Sequence, residues 1–274
     1  MNESQVYNKK SYGRAVTNMH DWDSRQYLKF ENERTQPAID LANRIKIQNP
    51  QRIVDIGCGP GNSTQVLAQK YPNAKILGVD SSPDMIETAK KEHPEIDFMQ
   101  CDASRDLAML GGEYDIVFSN ACIQWIPEHE RLIPNMIALL KKGGVLAVQT
   151  PMNYQEPVHK ITDQVIASEK WKVDMPVKRV LYNLTQSGYF DLLSQIASSF
   201  YLWEIVYYHK MQTHVDILEW YRGTGLRPFF NILPDYKKKA FEQDILSELE
   251  LAYPVQKSGG ILFKFPRLFF VAVQ

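Results

Sequence analysis

Val54-Asp55-Ile56-Gly57-Cys58-Gly59-Pro60-Gly61-Asn62 decides how this chain reads. A short apolar run over residues 52–56 breaks into three closely spaced glycines. A helical pattern then runs through Val66, Leu67 and Lys70. A strand that passes through glycines into a helix is a place where a ligand touches bare backbone, because a Cβ would block both the turn and the approach. The spacing is G-x-G-x-G. A loop that sets a pyrophosphate on a helix N-terminus has G-x-G-x-x-G instead. Asp55, two residues before the first glycine, is badly placed for a diphosphate and suits an ammonium group. A ligand with an amino-acid tail and a nucleoside, but no phosphate, fits this loop.

Outward from the loop, strand and helix patterns alternate. Residues 76–79 form a second strand ending at Asp80, and Ser82 caps a helix that opens on Pro83 and buries Met85, Ile86 and Ala89. Residues 96–101 and 114–119 read as strands three and four. A helix around residues 132–140 is expected to stop at Gly143-Gly144, and residues 145–150 make strand five. On the near side, Ala38, Leu41, Ala42 and Ile45 recur at helical spacing after Pro37, which reads as a first-turn residue. Alternation of this kind predicts a doubly wound α/β fold, a mostly parallel sheet with helices on both faces. Residues 201–209 are a strong aromatic and β-branched strand. Helices are expected near residues 215–221 and 237–251, and residues 261–273 read as a last strand bent or bulged at Pro266.

The organisation expected is therefore a polar, flexible arm over residues 1–20 and a cofactor-binding α/β domain with its N-terminal lid over 21–150. A helical insertion over 151–200 shapes a pocket, and residues 201–274 complete the sheet. Net charge is −1, so no general affinity for nucleic acid follows. The three cysteines, Cys58, Cys101 and Cys122, are scattered without a Cys-x-x-Cys pair, which fits free thiols and neither a disulfide framework nor a zinc site. The start of the chain lacks an apolar core of the secretory type, and no run approaches the roughly 18 apolar residues of a membrane helix. A cytoplasmic protein without membrane, nucleic-acid or metal partners is expected.

Asp80 lies where a carboxylate accepts the two hydroxyls of a ribose, and Asp102 where one receives an adenine amine. Carboxylates at three successive strand ends describe one extended nucleoside site. The stretch around the glycines resembles motif I of the class I S-adenosylmethionine-dependent methyltransferases, and Gly78-Val79-Asp80 and Cys101-Asp102-Ala103 resemble the motifs that follow it. Asp21-Trp22, Tyr27, Glu33-Arg34, residues 120–125, Tyr207-Tyr208-His209, residues 224–228 and Phe265-Pro266-Arg267 resemble the trans-aconitate branch of that family. The resemblance implies a seven-stranded sheet with an antiparallel C-terminal strand. It also implies S-adenosyl-L-methionine as cofactor, held by Asp55, Gly57, Cys58, Gly59, Gly61, Asp80, Ser81, Asp102, Ala103 and Asn120, with Trp22 and Tyr27 folding over it as a lid.

A carboxylate acceptor is already ionised near neutral pH and needs no general base, so no residue is assigned to proton transfer. The remaining carboxylates of a small polycarboxylic acid need cationic or hydrogen-bonding partners, preferably the planar fork of arginine. Arg34, Arg222 and Arg227 are the candidates, with Tyr208 and His209 as donors. Gln124 and Trp125, just past strand four, supply a donor and an apolar wall. Rival readings are a methyltransferase for another acid or thioester-linked acid, a nicotinamide-dependent oxidoreductase, which the glycine spacing disfavours, and a cofactor-binding module without turnover. A monomer or weak homodimer is expected.

Overall fold

The computed structural model describes residues 31–175 and 180–274, and the side chains from Arg34 onward. The expected arm over 1–20 and the lid residues Trp22 and Tyr27 lie outside them. Seven strands form one sheet in the order β3-β2-β1-β4-β5-β7-β6. They are β1 (Arg52–Ile56), β2 (Lys75–Asp80), β3 (Asp97–Gln100), β4 (Tyr114–Asn120), β5 (Leu140–Pro151), β6 (Ser199–Met211) and β7 (Ile261–Val273). The first five pair in parallel, and β7 runs antiparallel between β5 and β6. Chain order reverses between β1 and β4. In an open parallel sheet, that is where the loops from the carboxyl strand ends diverge and leave a crevice.

The helices follow from period and capping. They are α1 (Glu31–Ala42), α2 (Asn62–Lys70), α3 (Pro83–Glu92), α4 (His129–Ile137), α5 (Pro157–Ala167), α6 (Gln186–Ile196), α7 (His214–Arg222), α8 (Arg227–Phe230) and α9 (Asp235–Ala252). Ser82 caps α3 by accepting from the Met85 N–H at 3.4 Å. Alternation along the strands serves two faces. Val54, Ile56, Val117, Leu146 and Phe270 pack under α4 and α6, while Ile53, Ile116, Phe118, Ala147 and Phe269 pack under α1 and α2. A separate core joins α5, α7, α8 and α9 to Met211, Ile261, Phe263 and Phe265 at the far end of β6 and β7.

Three local expectations change. Pro37 lies inside α1 rather than in its first turn. Its missing N–H removes one bond of a helix that the buried Ala38, Leu41 and Ala42 still hold on the sheet. Gly143 and Gly144 do not stop a helix. They make an irregularity inside β5, where the register jumps from Tyr114↔Leu140 to Ile116↔Val145. Gly143 has φ +74°, and a Cβ on Gly144 would come within 2.9 Å of the Tyr114 carbonyl. Finally, β7 pairs with β6 in unbroken register from Ser199↔Val273 to Met211↔Ile261, so there is no bulge at Pro266. The Pro266 carbonyl accepts from Met152 N–H just past the end of the β5 ladder, so the proline's missing donor falls where no β5 partner remains.

Candidate active site

The glycine loop connects β1 to α2 and is held from three sides. Gly57 and Cys58 donate backbone N–H to the Val79 carbonyl at 2.7 and 2.9 Å, and Gly59 N–H donates to Asp80 Oδ2 at 3.0 Å. Gly57 has φ +76°, and a Cβ there would lie 2.2 Å from Cys122 Sγ, so the loop and the β4 exit touch through this glycine. Gly59 has φ +55°, and a Cβ on it would meet nothing among the described residues within 4 Å. Its bare backbone faces open space, as a ligand approach requires. Gly61 is different, because its Cβ would strike the His93 ring at 2.5 Å. Packing against His93 and an αL backbone require a glycine here.

Asp55 is fully buried and accepts from Ser63 Oγ at 2.5 Å and Thr64 Oγ1 at 2.8 Å, which ties the loop to the first turn of α2. Both hydroxyls bind Oδ2, so the carboxylate is fixed from the helix side. Burial pushes its pKa up to about 6 against the pull of the two hydroxyls. Its Oδ1 and Asn120 Oδ1, at the end of β4, are both buried without a hydrogen-bond partner among the described residues. Unmet acceptors on one strand edge fit a ligand that brings donors. Asp80 Oδ1 accepts from Ser82 N–H at 2.9 Å, and burial raises its pKa. It is only half-buried beside Ser81, so lone pairs remain for a diol. Asp102 Oδ1 accepts from the Ser104 N–H and hydroxyl, and Oδ2 pairs with Arg105 at 3.3 Å beside half-buried Ala103. The donor set of a nucleoside with an amino-acid tail is matched along this edge.

A cavity adjoins the end of β4. It holds about 650 Å³ of empty space, part of it open to solvent, and its walls come from α1, the loop after β4, the end of β5, β7 and the helical layer. Ala121, its first residue after β4, has φ +54°, a strained value for a residue with a Cβ. Its N–H donates to the Gln149 carbonyl at 2.9 Å, and its carbonyl accepts from buried Gln124 Nε2 at 2.7 Å. Arg34, buried on α1, stacks over Trp220 at 5.1 Å and donates to that residue's carbonyl at 3.5 Å. Arg267, also buried, comes from β7. Its guanidinium lies 4.4 Å from the Phe265 ring centre and donates to Gln149 Oε1 at 3.3 Å. His159 Nδ1 is 2.7 Å from the Tyr221 hydroxyl. Among the described lining residues there are two arginines and a histidine and no carboxylate.

The cavity thus brings together Arg34, Gln124 and Trp125 of the expected acceptor residues. It leaves out four. Tyr208 sits on the outer side of edge strand β6, 58% exposed, because its neighbours Tyr207 and His209 take the inner side. His209 lies beneath the wall, stacked on Trp220 at 4.9 Å. Burial, with Arg267 nearby, lowers its pKa to about 4. Arg222 faces away and pairs with Glu242 at 2.6 Å. Arg227 opens α8 and is not part of the wall. Sequence reasoning missed His159, Trp220, Tyr221 and Arg267 as site residues. Arg267 carried a usable signal, since a charged side chain within the apolar run 261–273 is costly unless it has work to do.

A family described as methyltransferase domain matches residues 53–144. The trans-aconitate 2-methyltransferase of Rhodopseudomonas palustris (strain BisB18) is 41% identical over 258 residues, 93% of this chain and 100% of that protein. The trans-aconitate 2-methyltransferase of Escherichia coli (strain K12 / DH10B) is 39% identical over 254 residues, 93% of this chain and 98% of that one. Among solved structures, the YcgJ protein of Bacillus subtilis superposes with a TM-score of 0.58 at 15% identity, covering 87% of this chain and 98% of that one. Phosphoethanolamine N-methyltransferase 2 of Haemonchus contortus, solved with S-adenosyl-L-methionine, gives 0.50 at 17% identity, over 87% of this chain and 52% of that one. These two likenesses show the fold. With about 40% identity along nearly its whole length, the chain belongs to the trans-aconitate 2-methyltransferase family.

Proposed function

We propose that the protein transfers the methyl group of S-adenosyl-L-methionine to one carboxylate of trans-aconitate. The observation that carries this reading is the placement of a cavity walled by two buried arginines directly after Asn120, one strand over from the glycine loop. The names of the family relatives support the same acceptor.

When bound, the cofactor supplies an electrophilic methyl group on a sulfonium. The protein's residues do the rest by placement. Gly59 leaves room for the ligand at the loop, Asp80 accepts from the ribose hydroxyls, and Asp102 receives the adenine amine. Arg34 and Arg267 neutralise acceptor carboxylates, while Trp125, Leu181, Trp220 and Phe265 give the cavity an apolar wall. Charge is lost as an anion meets a sulfonium, so a dry site that aligns the two lowers the barrier without a base. One chain supplies both halves of the site, which supports action as a monomer or weak homodimer. No described helix is long and apolar enough to cross a membrane. We place the activity in the cytoplasm, without nucleic-acid or membrane partners. Incubation with S-adenosylmethionine and trans-aconitate, followed by mass spectrometry, should yield S-adenosylhomocysteine and a monomethyl ester in equal amounts. Cofactor binding without either product, across a panel of small acids, would favour a binding module.

A further inference from the structure

We infer that Arg267 is the specificity-determining residue of the acceptor cavity: it selects polycarboxylates and fixes which of their carboxylates is methylated. This rests on the function proposed above and assigns a role within it. Three features separate Arg267 from Arg34, the other cavity arginine. First, it stands on a strand paired on both sides, Ile205 on β6 and Pro151 on β5, whereas Arg34 stands in the first turns of α1. Second, its guanidinium is fixed by stacking on Phe265 and by donation to Gln149, with the Tyr207 ring 5.7 Å away. A fork fixed in this way loses little further freedom when it accepts a carboxylate. Third, its support connects to the reacting end. Gln149 is the partner of Asn120 in the β4–β5 register, and its carbonyl holds the strained Ala121 by accepting from that N–H.

Gln149 therefore links the anchor to the β4 exit through its own side chain and backbone. Adjacent strands lie about 4.8 Å apart, so β4 and β7, with β5 between them, are about 10 Å apart along the sheet. The arginine side chain covers part of that distance, and an acid with carboxylates at opposite ends covers the rest. Seating one carboxylate on a fixed fork determines which other one reaches the methyl group, which affinity from a more adjustable arginine would not do.

The test compares wild type, Arg267→Met and Arg267→Lys on mono-, di- and tricarboxylic acids, with product isomers resolved by NMR and S-adenosylhomocysteine affinity measured alongside. Arg267→Met is expected to lower kcat/KM on the polycarboxylate that the wild type turns over by on the order of 100-fold, the effect of truncating one partner of a buried charge pair. Monocarboxylic acids should lose less than about threefold, and S-adenosylhomocysteine affinity should hold. Arg267→Lys keeps the charge, so it remains readable should the Met variant fail to fold. It is expected to raise KM about tenfold and to turn a single monomethyl ester into a mixture. Equal losses on all acids with cofactor affinity intact, or a Lys variant with unchanged KM and a single ester, would overturn the inference. If the wild type turns over a polycarboxylate other than trans-aconitate, the acceptor proposed above falls and Arg267 is judged on that acid. A wild type selective for monocarboxylic acids overturns both.

Discussion

The cofactor edge and the acceptor cavity lie at the same end of one sheet, yet they are built with opposite charge and from opposite kinds of sequence. Asp55, Asp80 and Asp102 line the first, within 48 positions of one another; Arg34, His159 and Arg267 line the second, spread across 234 positions. The contrast matches the reactants: a cofactor with an ammonium group and a sulfonium on one side, a polyanion on the other. A nucleoside edge closes through backbone, so its side chains follow the strand ends in order. The anion cavity closes through long side chains reaching in from a helix, a strand and the layer above.

The contrast can be sharpened first within the glycine loop. Gly57→Ala places a Cβ 2.2 Å from Cys122 Sγ at a φ of +76°. It is expected to cost about 3 kcal/mol or more in a urea unfolding experiment. Gly59→Ala, at φ +55° in open space, should cost about 1 kcal/mol of stability while weakening cofactor binding. Equal stability losses would remove the distinction between a packed glycine and one that makes room for a ligand.

A second contrast is in the response to pH. Asp55 has a pKa raised from 3.8 to about 6, so the folded protein holds its proton longer and stability falls as pH rises through that window. His209 has a pKa lowered from 6.5 to about 4, so the unfolded chain takes the proton first and stability falls as pH drops through its window. Each shift corresponds to about 3 kcal/mol, and the two oppose each other between pH 4 and 6. Relative to wild type, Asp55→Asn should leave a protein that gains stability as pH rises from 4 to 6.5. His209→Phe should leave one that loses stability from pH 4 to 6. Urea midpoints measured across that range check both signs, and parallel curves for all three proteins would break the pairing.

The smallest effects are expected where sequence reasoning placed acceptor residues and the structure does not. Arg222→Gln loses an ion pair that is 36% and 21% exposed at its two ends, worth under about 1 kcal/mol of stability. With Tyr208→Ala, on the outer side of β6, it should leave acceptor KM unchanged in a steady-state assay. A several-fold rise in either variant would return that residue to the site.

The same difference explains what the sequence disclosed. The glycine spacing, the ordered carboxylates and the strand alternation are local patterns, and β1 and β7 appear at the expected residues. Gly143-Gly144 misled because a glycine pair ends helices and bends strands equally well, and only the partner strand's register decides between them. Tyr208 and His209 cannot both face the cavity, because adjacent residues of a strand point to opposite faces. Arg267 and Trp220 were missed because nothing local says that β7 and α7 meet α1 around one cavity. That meeting is a property of the sheet order, not of any motif.

The most direct test of the opposed halves is a crossed titration by calorimetry: S-adenosylhomocysteine into the free protein, and trans-aconitate into its S-adenosylhomocysteine complex. Wild type, Asp80→Ala and Arg34→Met would be compared, with Asp80 on the cofactor edge and Arg34 in the acceptor cavity. Asp80→Ala should weaken the first titration by about 1.5–3 kcal/mol, the worth of hydrogen bonds to a charged group, and leave the second within a factor of about three once the cofactor site is saturated. Arg34→Met should leave the first unchanged and weaken the second by about tenfold or more. Losses of similar size in both titrations for both variants would contradict the division of the site into an acidic cofactor edge and a basic acceptor cavity.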